Sequence, residues 1–165
     1  MAATVYEVPL PAHHWYRWDS VGNEVVSNGC HWIDHFLFLN GYQEPTGLFA
    51  RRMSTQVLLG IELPNGASGS ISLRHGGAPR LGVRDHVTFW NGDRSAVLVD
   101  QSTYRSEAGF SVGPTRHMQP YAPLEDMYAT FADRIADDLP GDSRESIEVS
   151  ARVTLRLAEM LEDDS

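Results

Sequence analysis

The chain has 165 residues and a mass of 18.4 kDa, the size of one compact domain, and its 42% hydrophobic and 21% charged residues exclude a disordered or fibrous protein. All thirteen basic residues are arginine, so Schiff-base catalysis, pyridoxal-phosphate attachment and a P-loop lysine are excluded within this sequence. Twenty-two acidic residues give a net charge of -9, and the arginines are scattered from Arg17 to Arg156 without forming a basic stripe, which argues against a nucleic-acid partner.

The single cysteine, Cys30, has no partner for an internal disulfide, as expected in a reducing compartment. The start MAATVYEVPLP lacks the basic and apolar regions of a signal peptide, and no apolar run has the length of a membrane span. A cytoplasmic protein with no membrane contact is the expectation.

Residues 1–20 read as an irregular docked arm, broken by Pro9 and Pro11 and crowded with His13, His14, Trp15, Tyr16 and Trp18, aromatic groups that are costly to leave in water. From Glu24 to Leu39, apolar residues recur at helical spacing up to the Asn40-Gly41 stop, with Ser27 or Asn28 as the expected N-cap and Asn28 to Leu39 as the firm helix. Strands follow at Thr46 to Ser54, Gln56 to Leu63, Gly69 to Arg74, Val83 to Trp90 and Ser95 to Val99, with a last one around Tyr104 to Val112. The turns Pro64-Asn65-Gly66 and Asn91-Gly92-Asp93 make hairpins of their neighbours.

Leu124, Met127, Tyr128, Phe131, Ile135 and Leu139 then form a helical stripe, closed by Pro140-Gly141. A final helix carries Ile147, Val149, Val153, Leu155, Leu157, Met160 and Leu161. The order predicts a single α+β domain: a mostly antiparallel open sheet of about five to seven strands with helices on one face. Apolar residues occur in both alternating sets, Val57, Leu59 and Ile61 in one and Leu58 and Leu63 in the other. A homodimer through the second sheet face is therefore expected.

The densest polar cluster is His31-Trp32-Ile33-Asp34-His35, where His31, Asp34 and His35 share a helix face. It has three readings: a metal site, for which no further ligand is evident; a buried histidine satisfied by a carboxylate; and a catalytic or substrate-binding histidine oriented by Asp34. The His13-His14 pair of the arm is expected to fold against His31, and Tyr104, Arg105 and Arg116 with His117 near the sheet edge are suited either to an anionic or hydroxylated ligand or to a solvated or ion-paired surface. Cys30 reads as a structural cysteine, because adjacent helical residues point about 100° apart and it cannot share the His31 face.

The run Gly22-Asn23-Glu24-Val25-Val26-Ser27-Asn28-Gly29-Cys30-His31-Trp32-Ile33-Asp34, closed by Phe38-Leu39-Asn40-Gly41, resembles the start of the C-terminal domain of the Gfo/Idh/MocA family of NAD(P)-dependent sugar and cyclitol oxidoreductases. Trp15-Tyr16-Arg17-Trp18-Asp19 is similar to the family's lead-in. The strand Val57 to Leu63 followed by Asn65-Gly66-Ala67-Ser68-Gly69-Ser70 is similar to its hairpin, and the likeness extends from about Trp15 to Leu161.

The resemblance implies that His31 matches the family's active-site histidine and Asp34 its acidic partner. Ser27 stands where the family often has Asp, and the family's Rossmann domain with its Glu-Lys-Pro lysine has no counterpart in these residues. The expected site is therefore His31, Asp34 and His35 for acid/base chemistry and Arg17, Trp18, His14, Tyr104 and Arg116 for substrate, with no metal and no cofactor bound by this chain alone. Two functions are expected: cofactor-free transformation of a small sugar-like or secondary-metabolite substrate, or an accessory subunit that meets NAD(P) only through a Rossmann partner chain.

Overall fold

A computed structural model describes residues 1–8, 11, 13, 14, 18, 21–76, 83–118, 122–138 and 141–163. Seven substantial strands, β1 (Ala2–Glu7), β2 (Gly47–Met53), β3 (Gln56–Glu62), β4 (Ser68–His75), β5 (Arg84–Asn91), β6 (Arg94–Val99) and β7 (Thr103–Ala108), are extended by the two-residue strands β8 (Ser111–Val112) and β9 (Arg116–His117). The helices are α1 (Cys30–Leu39), α2 (Ala122–Ala136) and α3 (Arg144–Asp163). The sheet runs β2-β3-β4-β1-β5-β6-β7-β8, with β9 also paired to β7. Every pairing is antiparallel except that of β1 with β4.

The largest departure from the sequence expectation is β1. Ala2–Glu7 is an interior strand, parallel to β4 on one side and antiparallel to β5 on the other, and Ala3 and Val5 are fully enclosed. The strand carries only two buried apolar side chains before the buried Glu7, too short an alternation to stand out beside the aromatic cluster that follows. In that cluster Trp18 is 61% exposed, so its ring is not docked; Trp15, Tyr16 and Arg17 lie outside the described residues.

Register places Val57, Leu59 and Ile61 of β3 beside Ile71 and Leu73 of β4 and Ala50 of β2 on one face. Against it pack Ile33, Phe36 and Leu37 of α1 and Val149, Val153, Leu157 and Leu161 of α3, in one continuous core. Gly69 makes the close approach of α1 possible: a methyl group there would sit 3.0 Å from the Phe36 ring. Leu63, set with Leu58 in that expectation, has the parity of Val57, Leu59 and Ile61 and joins this core, whereas the other face of the sheet presents Ser68, Ser70, Ser72, Thr4 and Thr88 among Arg51, Arg74 and Arg84.

The approach to α1 also differs from expectation. Val25–Gly29 forms a π-helical turn, Ser27 and Asn28 do not cap it, and Asn23 Oδ1 instead accepts from the Val25 amide at 3.1 Å. Asn28 is turned inward and donates to the Glu7 carboxylate. No helix among the described residues is long and apolar enough to cross a membrane.

Two outcomes test this packing. Gly69→Ala should cost about 1–3 kcal/mol in chemical denaturation by pushing Phe36 off the sheet, and an unchanged midpoint would contradict the close approach. Asp85 is buried, and burial holds its carboxyl above the usual carboxylate range. The neutral form is thus favoured by folding, and this group's stability contribution is lost as pH rises from the ordinary carboxylate range through the raised folded value. Thermal melts should show Asp85→Asn gaining on the parent as pH rises from about 3.5 to 7; a gain independent of pH would contradict the assignment.

Candidate functional site

The residues singled out in the sequence divide along α1. His31 opens the helix just after the π-helical turn, and its side chain is exposed with no hydrogen bond or ion pair among the described residues. One turn later the half-buried Asp34 accepts from the Tyr42 hydroxyl at 3.3 Å. The expectation that Asp34 orients His31 is therefore not met by any bond between them. Its oxygen serves instead to tie down Tyr42, a residue in left-handed backbone conformation immediately past the helix stop. Burial, reinforced by the Asp34 charge and this contact, holds the Tyr42 hydroxyl above its ordinary range.

His35 lies over the middle of the sheet. Its ring is 5.7 Å from that of Phe89 at an interplanar angle of 31°. Burial lowers its pKa, and the nearby Asp34 charge opposes that shift without cancelling it. The imidazole is thereby biased toward its neutral form, which offers one donor and one acceptor nitrogen.

His35 also forms one wall of a groove of about 920 Å³, whose floor is the part of β5, β6 and β7 carrying Phe89, Ala96, Leu98 and Tyr104. Asn40, Asn65 and Asn91 stand around it, with Asn65 donating to Asn40 Oδ1 at 3.3 Å. Aromatic faces with amides around them suit a hydroxylated ring: the faces take its carbon–hydrogen surface, and the amides its hydroxyls.

Among the expected substrate residues, Tyr104 lines this groove and Arg116 is its direct neighbour across the β7–β9 ladder. His14 is half-buried and Trp18 exposed, and neither lines the groove; Arg17 lies outside the described residues. Among the described residues no three His, Cys, Asp or Glu side chains converge as a metal site would require. Cys30 is half-buried, and burial pushes its thiol up, away from a reactive thiolate.

The sequence reading missed a second polar cluster at the carboxyl ends of β1 and β4. Glu7 is 8% exposed, accepts from Asn28, and lies 3.6 Å from His75 Nδ1. Glu24 lies 3.5 Å from His75 Nε2 and pairs with Arg52 through both of its oxygens. Hydrogen bonding to Arg52 holds the Glu24 carboxyl below its usual range despite its burial. Only the β1 register, which sets Glu7 opposite His75, reveals the cluster, because its members are far apart in sequence.

No protein-family model and no curated protein matches this sequence. Solved structures do match. UDP-N-acetylglucosamine 3-dehydrogenase GnnA from Acidithiobacillus ferrooxidans is similar over 99% of this chain and 54% of its own, with a TM-score of 0.73 at 18% identity. Biliverdin reductase from Synechocystis sp. PCC 6803, solved with biliverdin and NADP+, is similar over 98% of this chain and 54% of its own, with a TM-score of 0.73 at 15% identity. Levoglucosan dehydrogenase, solved with NADH and levoglucosan, is similar over 99% of this chain and 56% of its own, with a TM-score of 0.72 at 15% identity. The structural neighbours are dehydrogenases and reductases of the Gfo/Idh/MocA type, and the chain has the fold of about half of each.

Titration of the His35 ring by NMR should give a midpoint below the ordinary histidine value of 6.5, and Phe89→Ala should raise it by letting water reach the ring. An unshifted midpoint in the parent protein would remove the burial argument.

Proposed function

We propose that this chain is a substrate-binding domain of the oxidoreductase type that takes a small polyhydroxylated ligand beside α1, with His31 as the group that moves a proton. The observation that supports this reading best is the condition of His31, whose imidazole is exposed and has no bonded partner among the described residues; the sequence resemblance sets it against the family's active-site histidine. An imidazole can take a proton from a hydroxyl or an activated carbon and return it elsewhere without a cofactor, which suits isomerisation, elimination or cyclisation. Neutral His35, Tyr104 and the groove amides would hold the ring of the ligand. Asp34 and Tyr42 would support the far end of the helix.

We propose that this chain does not itself hold a dinucleotide: the sequence between β1 and the π-helical turn has a single glycine, Gly22, in place of the glycine-rich fingerprint that cradles a pyrophosphate. A second reading, that the domain completes the site of a separate NAD(P)-binding chain, is favoured by its spanning about half the length of neighbours solved with NADH or NADP+. In either reading we propose a homodimer through the open sheet face, where Tyr6, Phe49, Met53 and Trp90 are each at least 40% exposed.

Calorimetric titration with levoglucosan and with UDP-N-acetylglucosamine, on the parent and on His31→Ala, tests the first reading. At least one ligand should bind the parent, and His31→Ala should weaken it about tenfold, as loss of one hydrogen bond would. Equal affinity in the two proteins would remove His31 from the site, whereas binding seen only with an added NAD(P)-binding chain would favour the second reading.

A further inference from the structure

Two apolar surfaces have no covering partner among the described residues. One is the groove floor on β5–β7, lying beyond the part of the sheet that α1 and α3 cover. It continues outward along β6, β7 and β8 as a second concavity of about 550 Å³ that shares Phe89, Ala96 and Tyr104 with the first. The other is α2. Its Met127, Tyr128, Phe131 and Ile135 recur at helical spacing and are 51%, 66%, 62% and 66% exposed, and none of its described side chains is buried. A helix that is amphipathic but buries nothing gains little from packing, and isolated helices of this length are marginal in water.

Connectivity brings these two surfaces together. β9 ends at the outer edge of β7, whereas α3 packs on β2 at the opposite edge and on α1. The intervening chain must therefore pass from one side of the sheet to the other, about 30 Å at 4.8 Å per strand. α2, fifteen residues and about 22 Å long, is the element within that passage. The groove floor lies on the same sheet face as the core that α1 and α3 cover, so a passage along that face crosses the groove.

We infer that α2 is a strap that closes over the groove of its own chain, laying Tyr128, Phe131 and Ile135 on Phe89, Leu98 and Tyr104. Tethering at both ends gives α2 an effective concentration in the millimolar range at this surface, so closure within the chain outcompetes capture by a second copy. Closure would exclude water from His35 and the groove amides, and opening would admit a ligand. The inference stands on the two exposed surfaces and the connection between them, and does not depend on the identity of the ligand or on His31.

Thiol cross-linking in a Cys30→Ser background provides the test, with Ala96→Cys in the groove floor paired in turn with Tyr128→Cys and Phe131→Cys and bridged by a short bis-maleimide. These substitutions leave the main core untouched, and circular dichroism checks that each protein is folded. A bridged monomer in at least one pair, with both thiols consumed at low protein concentration, is the expected result. Two separate reagent adducts and no bridge in both folded pairs, or covalent dimers in place of bridged monomers, would overturn the strap. Calorimetry on the Cys30→Ser parent reads ligand binding separately, so failure of the strap and failure of the proposed ligand are distinguishable.

Discussion

The Glu7–Asn28 hydrogen bond fixes the relation of helix to sheet on which the rest of the structure depends. Glu7 ends the central strand, Asn28 lies in the turn that launches α1, and both are buried. A buried carboxylate that loses its donor bears the full cost of desolvation, so helix and strand cannot separate at this point without a penalty of several kcal/mol. His75 and Glu24 continue the tie to β4 and, through Arg52, to β2. Three strands and the root of α1 are thus held at one end by polar contacts and along their length by the core around Phe36.

Fixing α1 in this way determines what each of its turns can do. The first turn carries His31 into solvent, where it is open to a ligand. The second carries Asp34 to Tyr42, and His35 over Phe89. Three residues that share a helix face by spacing therefore enter three different environments, because the sheet beneath them changes from the polar cluster at the end of β1 to the aromatic floor of β5.

Much of this fold was legible in the sequence. The hairpins β3–β4 and β5–β6 follow from their Asn-Gly turns, and α1 and α3 follow from apolar residues recurring at helical spacing. β1 was not legible, since a strand buried between two neighbours needs only Ala3 and Val5 to complete its face, and two residues make no pattern. The pairing of Glu7 with His75 was hidden for the same reason: it exists only once β1 lies parallel to β4. Tyr104 and Arg116 could be grouped near the sheet edge from the sequence, but the place of Tyr104 in one groove with His35 depends on how far α1 reaches across the sheet. Asp34 illustrates the opposite limit, because spacing alone could not show that Tyr42 folds back to occupy it.

The proposed ligand-bearing surface joins α1 to the floor of β5–β7 and is distinct from the open face of the sheet. Backbone NMR shift mapping during titration with levoglucosan and UDP-N-acetylglucosamine tests it most directly. The perturbed amides should cluster around His31, His35, Phe89 and Tyr104. Perturbations confined to Ser70, Ser72 and Thr88 on the opposite face, or none with either ligand, would contradict it.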